Sequence, residues 1–288
     1  MFHEGVSFAR RLSAHLRHRV RTSRQNIILA GLDFANSTGL EIGPLDKPLV
    51  TRDAGRILYA DYVSTSMLRE KYKNDPAVNN DNIQEVDIIC KDTTLSSALK
   101  DKIDYVIASH VIEHVPDLIG WLDDIKSVLK LDGSLRLAVP DRRYTFDYLR
   151  RESNLVELID AHLHRATMPL PRMILDFSLH YRMVNVYDAW GGSIDATSLK
   201  PVPNPAEVID TVTDAMENGT YHDVHCWVFT PRSFIDLFAE ASAIGLIGYR
   251  CDRFVTTRRY EIEFFVALSP CSDPDEIAES WRMARRTA

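Results

Sequence analysis

Cysteine is scarce in this chain: four residues in 288, Cys90, Cys226, Cys251 and Cys271, with no CxxC pair. That scarcity excludes a disulfide scaffold and a zinc ribbon, and makes a reducing cytoplasm the expected compartment. Long apolar runs are missing too. None approaches the roughly 18 residues that span a bilayer, and no signal-peptide core follows Met1, so neither a transmembrane segment nor a secretion signal is expected. Positive charge is in deficit, with 34 Lys and Arg against 41 Asp and Glu and a net charge of −7 at pH 7. That balance argues against nucleic acid as a partner. There is no internal repeat and no low-complexity segment. What is present is 45% hydrophobic and 26% charged, the balance of a globular protein long enough to bury a full core as one large domain or two small ones.

The charge is uneven. Before Asp33 there are six arginines (Arg10, Arg11, Arg17, Arg19, Arg21 and Arg24) against one acid, Glu4. Phe8, Leu12, Leu16 and Val20 recur every fourth residue, the pattern of an amphipathic basic helix. An organelle presequence, a membrane-surface anchor, a basic wall facing an anionic substrate and a plain accessory helix all remain open.

From Gly39 to Pro140, short apolar runs alternate with helical patterns. Strands are expected at 40–42, 56–60, 86–90, 105–108 and 135–139, with helices at 64–72 and 118–129 between them. Alternation of this kind indicates βαβ units and a parallel sheet. Asp132-Gly133 reads as the turn ending the helix before the fifth strand. The rhythm changes from Tyr144 to Thr230, a stretch rich in His, Tyr, Arg, Met and Pro, with helical pieces at 154–163 and 206–217 and no clear strand before Trp227. An insertion of this length usually covers a site or carries specificity. Thr230-Pro231 then caps a helix through Ala243. Runs at 249–255 and 260–268 read as a closing hairpin, and the tail after Pro270 as a short polar helix or frayed end.

The chemistry concentrates after the strands. Glu41-Ile-Gly43-Pro44 forms a turn beyond the first, where α/β sheets bind nucleotides. It holds one glycine, whereas a dinucleotide needs several so that backbone can approach its pyrophosphate. S-adenosylmethionine has no phosphate and makes no such demand. Asp61, ending the second strand, can accept both ribose hydroxyls of an adenosine. Asp92 follows the third strand, within reach of an adenine amino group. Ser109-His110-Val-Ile-Glu113-His114-Val-Pro116-Asp117 follows the fourth.

In LEIGPLDKP (40–48), YADYVST (59–65), CKDTTLS (90–96), ASHVIEHVPD (108–117) and LDGSLRLAVPD (131–141) the chain resembles class I S-adenosylmethionine-dependent methyltransferases. It looks closest to a group encoded beside bacterial glycosyltransferases, in which an EIGP loop replaces GxGxG. The missing second glycine departs from the wider superfamily. The resemblance implies a Rossmann-like, seven-stranded, mostly parallel α/β sheet. A C-terminal antiparallel hairpin, an N-terminal helix and a largely helical insertion after the fifth strand complete it. The expected boundaries are a basic segment 1–35, a cofactor-binding core 36–143, a substrate cap 144–229, a closing helix and hairpin 230–270, and a tail 271–288. Glu41, Gly43 and Pro44 would shape the cofactor loop, Asp61 and Tyr62 would meet the ribose, and Asp92 and Thr93 the adenine. Ser109 and His110 would lie beneath the methionine moiety.

Methyl transfer to a hydroxyl needs a base. The candidates are His110, Asp141 and the insertion histidines His180, His222 and His225. Arg142, Arg143, Tyr181 and Arg182 are candidates for holding the acceptor, the arginines suiting an anionic one. His110-x-x-Glu113-His114 also matches an inverted zinc-peptidase motif, which requires both histidines on one helix face. Glu113 and His114 could hold Mg²⁺, as similar residues do in some small-molecule methyltransferases, but local bonding at a helix start is the preferred reading, so no metal is expected. The expected activity is O-methylation of a sugar, nucleotide-sugar or glycan hydroxyl, in a cytoplasmic enzyme that can pair as a homodimer. Alternatives are an aromatic or natural-product O-methyltransferase and a non-catalytic protein that binds the cofactor alone.

Overall fold

The computed structural model describes residues 23–91, 93–200 and 204–288. Seven strands form one sheet in the order β3-β2-β1-β4-β5-β7-β6. They are β1 (Thr38–Ile42), β2 (Arg56–Asp61), β3 (Ile88–Ile89), β4 (Ile103–Ser109), β5 (Leu129–Pro140), β6 (Tyr249–Val255) and β7 (Glu263–Pro270). The first five pair in parallel. β7 runs antiparallel to both β5 and β6. The expected mostly parallel sheet with a closing antiparallel pair is the observed one.

Alternation along the strands fills two cores. Val106 and Ala108 of β4 join Leu40, Leu135 and Leu137 on the face covered by the helix Leu118–Val128. Tyr105 and Ile107 join Ile57, Tyr59, Ile27 and Ile28 on the other face. A strand covered on both faces has no polar side to spare, which is why β4 reads as a continuous apolar run. Helix starts follow their caps. Ser64, Asp117, Asn154 and Thr230 each accept a backbone N–H of the first turn, satisfying donors that the helix cannot.

Several expectations need correction. β3 is two residues long rather than five. The helix before β5 ends at Val128, and Asp132-Gly133 lies inside an irregular start to β5, where the pairing with β4 shifts register. The last strand begins at Glu263, not Tyr260, because Tyr260 has a φ of 67° and turns the chain. The tail is neither frayed nor merely polar: Pro274–Arg285 is a helix whose Ile277, Trp281 and Ala284 are buried. The insertion contains two helices that the sequence reading passed over, Pro171–His180 and Val186–Gly191. Phe229 returns the chain to the sheet through a single parallel bridge to Asp141. The arginine-rich start before Ser23 lies outside the described residues, apart from the helical residues 23–28.

Candidate functional site

The direction of strand order reverses between β1 and β4, and because these strands run parallel, the turns beyond β1, β2, β4 and β5 all lie at the carboxyl edge of the sheet, which frames the candidate crevice. That is where open α/β sheets bind ligands. Gly43 has a φ of 66°, and an added Cβ would stand 3.2 Å from Val111 Cγ2 of the opposite turn. Leu45 and His110, with φ of 46° and 54°, hold left-handed conformations in the two turns that flank the crevice. Such strain persists only where the surroundings enforce it. Glu41 does not face the crevice freely. Its buried carboxylate accepts the backbone N–H groups of Leu49 and Val50 at 2.8–3.1 Å and thereby folds the loop back. Burial pushes its pKa up to about 7 despite those bonds.

Asp61 accepts the Tyr62 N–H at 2.7 Å, and burial raises its pKa. The Tyr62 ring stacks on Tyr221 at 4.7 Å between centroids, so the insertion reaches back over the end of β2. Asp92 lies outside the described residues, and the Thr93 hydroxyl is bonded to its neighbour's carbonyl. Burial lifts the Cys90 and Cys226 thiols to about 12, which leaves neither as a nucleophile at neutral pH.

Beyond β4, His110 Nε2 lies 2.7 Å from Glu263 Oε2, while Arg24 pairs with the same carboxylate and bonds the Ser109 hydroxyl. Burial opposes charge on His110, but the bonded Glu263 and nearby Glu113 outweigh it and raise its pKa. Burial likewise opposes charge on Glu263, yet His110 and Arg24 hold that carboxyl down at about 2. The peptidase reading fails here. His110 sits at a strand end in left-handed backbone, and Ile112–His114 is one 3₁₀ turn, so no helix presents both histidines on a face.

The insertion clamps onto that turn. The Glu113 carbonyl accepts from Cys226 N and Trp227 N, and Trp227 Nε1 donates to the Val115 carbonyl at 2.6 Å. This delivers His225 beside Glu113 and His114, with the two imidazole rings 4.7 Å apart. Each ring is backed by a carboxylate. His225 Nδ1 is 2.6 Å from Asp147 Oδ2, and His114 Nδ1 is 2.9 Å from Asp223 Oδ1. Asp147 is held in turn by Arg150, whose guanidinium is 2% exposed and also reaches Asp176 and the His225 carbonyl. Phe146 and Phe177 pack against the His225 ring, with Tyr181 against Phe146 behind it.

Other predicted residues are occupied elsewhere. Asp141 is fully buried and bonded by Arg143 and Thr257. Arg142 donates to the Tyr148 carbonyl, and Arg182 to the carbonyls of Leu179 and Tyr181. His180 bonds Asp176 at the end of its own helix, and His222 bonds Asp214. Asp147, Arg150 and Glu263 were not singled out from the sequence, and Arg24 stood out only as one of the arginines of the basic start. Glu263 had a visible signal, the second acid of Glu261-Ile-Glu263 at the head of the apolar run FFVALS. Asp147 and Arg150 had none.

A family model described as a methyltransferase domain matches residues 13–242. Among solved structures, the mitomycin 7-O-methyltransferase MmcR is 13% identical with a TM-score of 0.39, over 92% of this chain and 58% of that one. A structure described as a zinc-dependent alcohol dehydrogenase from Rhodobacter sphaeroides is 12% identical (TM-score 0.44), over 86% and 89%. The magnesium protoporphyrin IX methyltransferase ChlM of Synechocystis PCC 6803, with bound SAH, is 11% identical (TM-score 0.40), over 88% and 83%. No curated protein matches.

Proposed function

We propose an O-methyltransferase from a fixed premise: this chain belongs to the methyltransferase-domain family, and it is a class I S-adenosylmethionine-dependent enzyme. The residues at the crevice fit that cofactor. The β1 turn has a single left-handed glycine and no run of glycines to cradle phosphate, which suits an adenosine that carries none. Asp61, at the end of β2, is the carboxylate proposed for the ribose hydroxyls, with Tyr62 and Thr93 beside it and Ser109 and His110 below the methionine moiety. The cofactor supplies an electrophilic methyl group. The chain must hold the acceptor in line with it and remove a proton.

The observation that carries oxygen as acceptor atom is the set of imidazole–carboxylate pairs along one rim: His110–Glu263, His114–Asp223 and His225–Asp147. A hydroxyl is a poor nucleophile while protonated, and an imidazole made more basic by a neighbouring carboxylate is suited to taking its proton from the form that has given up its own. His110 is the proposed base. His180 and His222, bonded within the insertion, are not. Asp141 is proposed to position the fifth-strand turn through Arg143 and Thr257 rather than to take a proton.

For the acceptor we propose a sugar, nucleotide-sugar or glycan hydroxyl. The support is a pair of aromatic contacts between the insertion and the β7 side of the rim: Tyr144 stacked on Trp190 at 4.0 Å, and Tyr187 against Tyr260 of the β6–β7 connection at 5.2 Å. Rings with a few convergent polar groups bind a sugar face on one side and its hydroxyls on the other. The rings around His225 favour a second reading, a small aromatic or natural-product hydroxyl. The test is calorimetric titration with S-adenosylhomocysteine, then transfer of labelled methyl to panels of nucleotide sugars, glycans and phenols. Methyl transfer to sugars selects the first reading and transfer to phenols the second. Failure to bind S-adenosylhomocysteine sinks both.

A further inference from the structure

Glu113 is fully buried, and neither of its carboxylate oxygens has a hydrogen-bond partner. A buried carboxylate left in that state costs several kcal/mol, so native proteins pair such groups or place them on a metal. Two imidazoles converge on it. Glu113, His114 and His225 can each offer one ligand atom, and the three atoms lie within 4.8 Å of one another. An ion at about 2.1 Å from each would hold its donors about 3–3.5 Å apart, so modest side-chain rotation closes the gap.

The outer partners have the arrangement that metal-binding histidines require. His225 Nδ1 is bonded to Asp147, which leaves Nε2 for the interior. His114 Nδ1 stands against Asp223, and its Nε2 is the atom that faces Glu113, 4.0 Å from Oε1. Asp147 thus fixes which nitrogen of His225 is turned inward, while Asp223 faces the outer nitrogen of His114 as a charge neighbour without a hydrogen bond. Lys71 and Arg150 in turn hold those carboxylates. His114, with 31% of its side chain exposed, is the side from which an ion can enter.

We propose that Glu113, His114 and His225 form a divalent metal site. Two imidazoles and one carboxylate select a first-row transition ion over Mg²⁺, which prefers an all-oxygen octahedron. Three protein ligands leave coordination positions open. His110 Nδ1 is 3.6 Å from Glu113 Oε1, so those positions adjoin the proposed base. An acceptor oxygen bound there would lose its proton more readily, a use that rests on the O-methyl reading, whereas the site itself does not.

The test titrates metal-stripped full-length protein with Co²⁺, read by its visible absorption and by calorimetry, alongside S-adenosylhomocysteine binding. The expected result is one equivalent bound at micromolar or tighter affinity. Glu113→Gln and His114→Ala should each weaken it about 100-fold or more, while S-adenosylhomocysteine affinity changes little. Because His114 is partly exposed, its variant keeps the test valid even where Glu113→Gln fails to fold. Absence of Co²⁺ binding at millimolar concentration overturns the proposal, as does binding unaltered in His114→Ala. Co²⁺ binding without S-adenosylhomocysteine binding would instead overturn the methyltransferase reading and leave the metal site standing.

Discussion

His110 Nε2 and Glu263 Oε2, 153 residues apart in sequence, meet at 2.7 Å across the ends of β4 and β7. Arg24 completes the triad from the start of the described chain. The carboxyl rim of the sheet is therefore tied by an ion cluster drawn from distant parts of the sequence.

Replacing Glu263 with Gln should show what that tie is worth. Its folded pKa, about 2, lies below the ordinary 4.5, so its contribution is present above pH 4.5 and disappears as pH falls toward 2. Urea unfolding at pH 6 should show the variant less stable by about 3 kcal/mol. The difference should vanish in acid. A gap that stays constant with pH would mean the pair is not coupled as described.

Glu41 predicts the opposite slope. Its folded pKa is raised from 4.5 to about 7, so its contribution is complete below 4.5 and is lost as pH rises through 7. The wild type should lose about 3 kcal/mol over that interval relative to Glu41→Gln. Parallel stability curves for the two proteins would show that the loop does not bury a titrating carboxylate.

Asp61→Ala tests the ribose contact. Each charge-assisted bond lost is worth about 1.5–3 kcal/mol, so S-adenosylhomocysteine affinity should fall at least about tenfold with the melting temperature of the free protein little changed. Unchanged affinity in calorimetry would remove Asp61 from the cofactor site.

Trp281, on the buried face of the terminal helix, is 1% exposed and packs against Phe238, and its Nε1 donates to the Tyr249 carbonyl. Trp281→Ala should cost about 3–5 kcal/mol, the range for deleting a large buried aromatic. A loss under about 1 kcal/mol in denaturant titration would show that the helix is not part of the core.

What the sequence disclosed was local. β1, β2 and β4 stood out because consecutive apolar residues feed both cores, and the start of the helix at Pro231 was visible through Thr230, whose cap acts within three residues. β3 was overestimated because only Ile88 and Ile89 of its apolar run pair with β2. The site was harder. His225 meets Glu113 only because Cys226 and Trp227 bond a carbonyl 113 and 114 positions earlier, and nothing in the spacing of 222–231 encodes that docking. Arg142 looked free to hold an anion because its partner, the Tyr148 carbonyl, is set by backbone geometry, whereas Arg143 pairs with the carboxylate of Asp141 two residues before it.

The direction of β7 has its own consequence. A parallel strand brings its last residue to the carboxyl rim, and the residues after that strand become a site loop. β7 is antiparallel and brings its first residue, with Glu263 opposite Pro140. The segment feeding it therefore belongs to the rim as well, as Thr257 bonding Asp141 and Glu261 accepting from Trp190 show. The connection from β6 to β7 thus helps to shape the carboxyl rim. Residues added there would reshape the mouth of the crevice, whereas the same residues added between Ile244 and Gly248 would lengthen the opposite pole of the sheet.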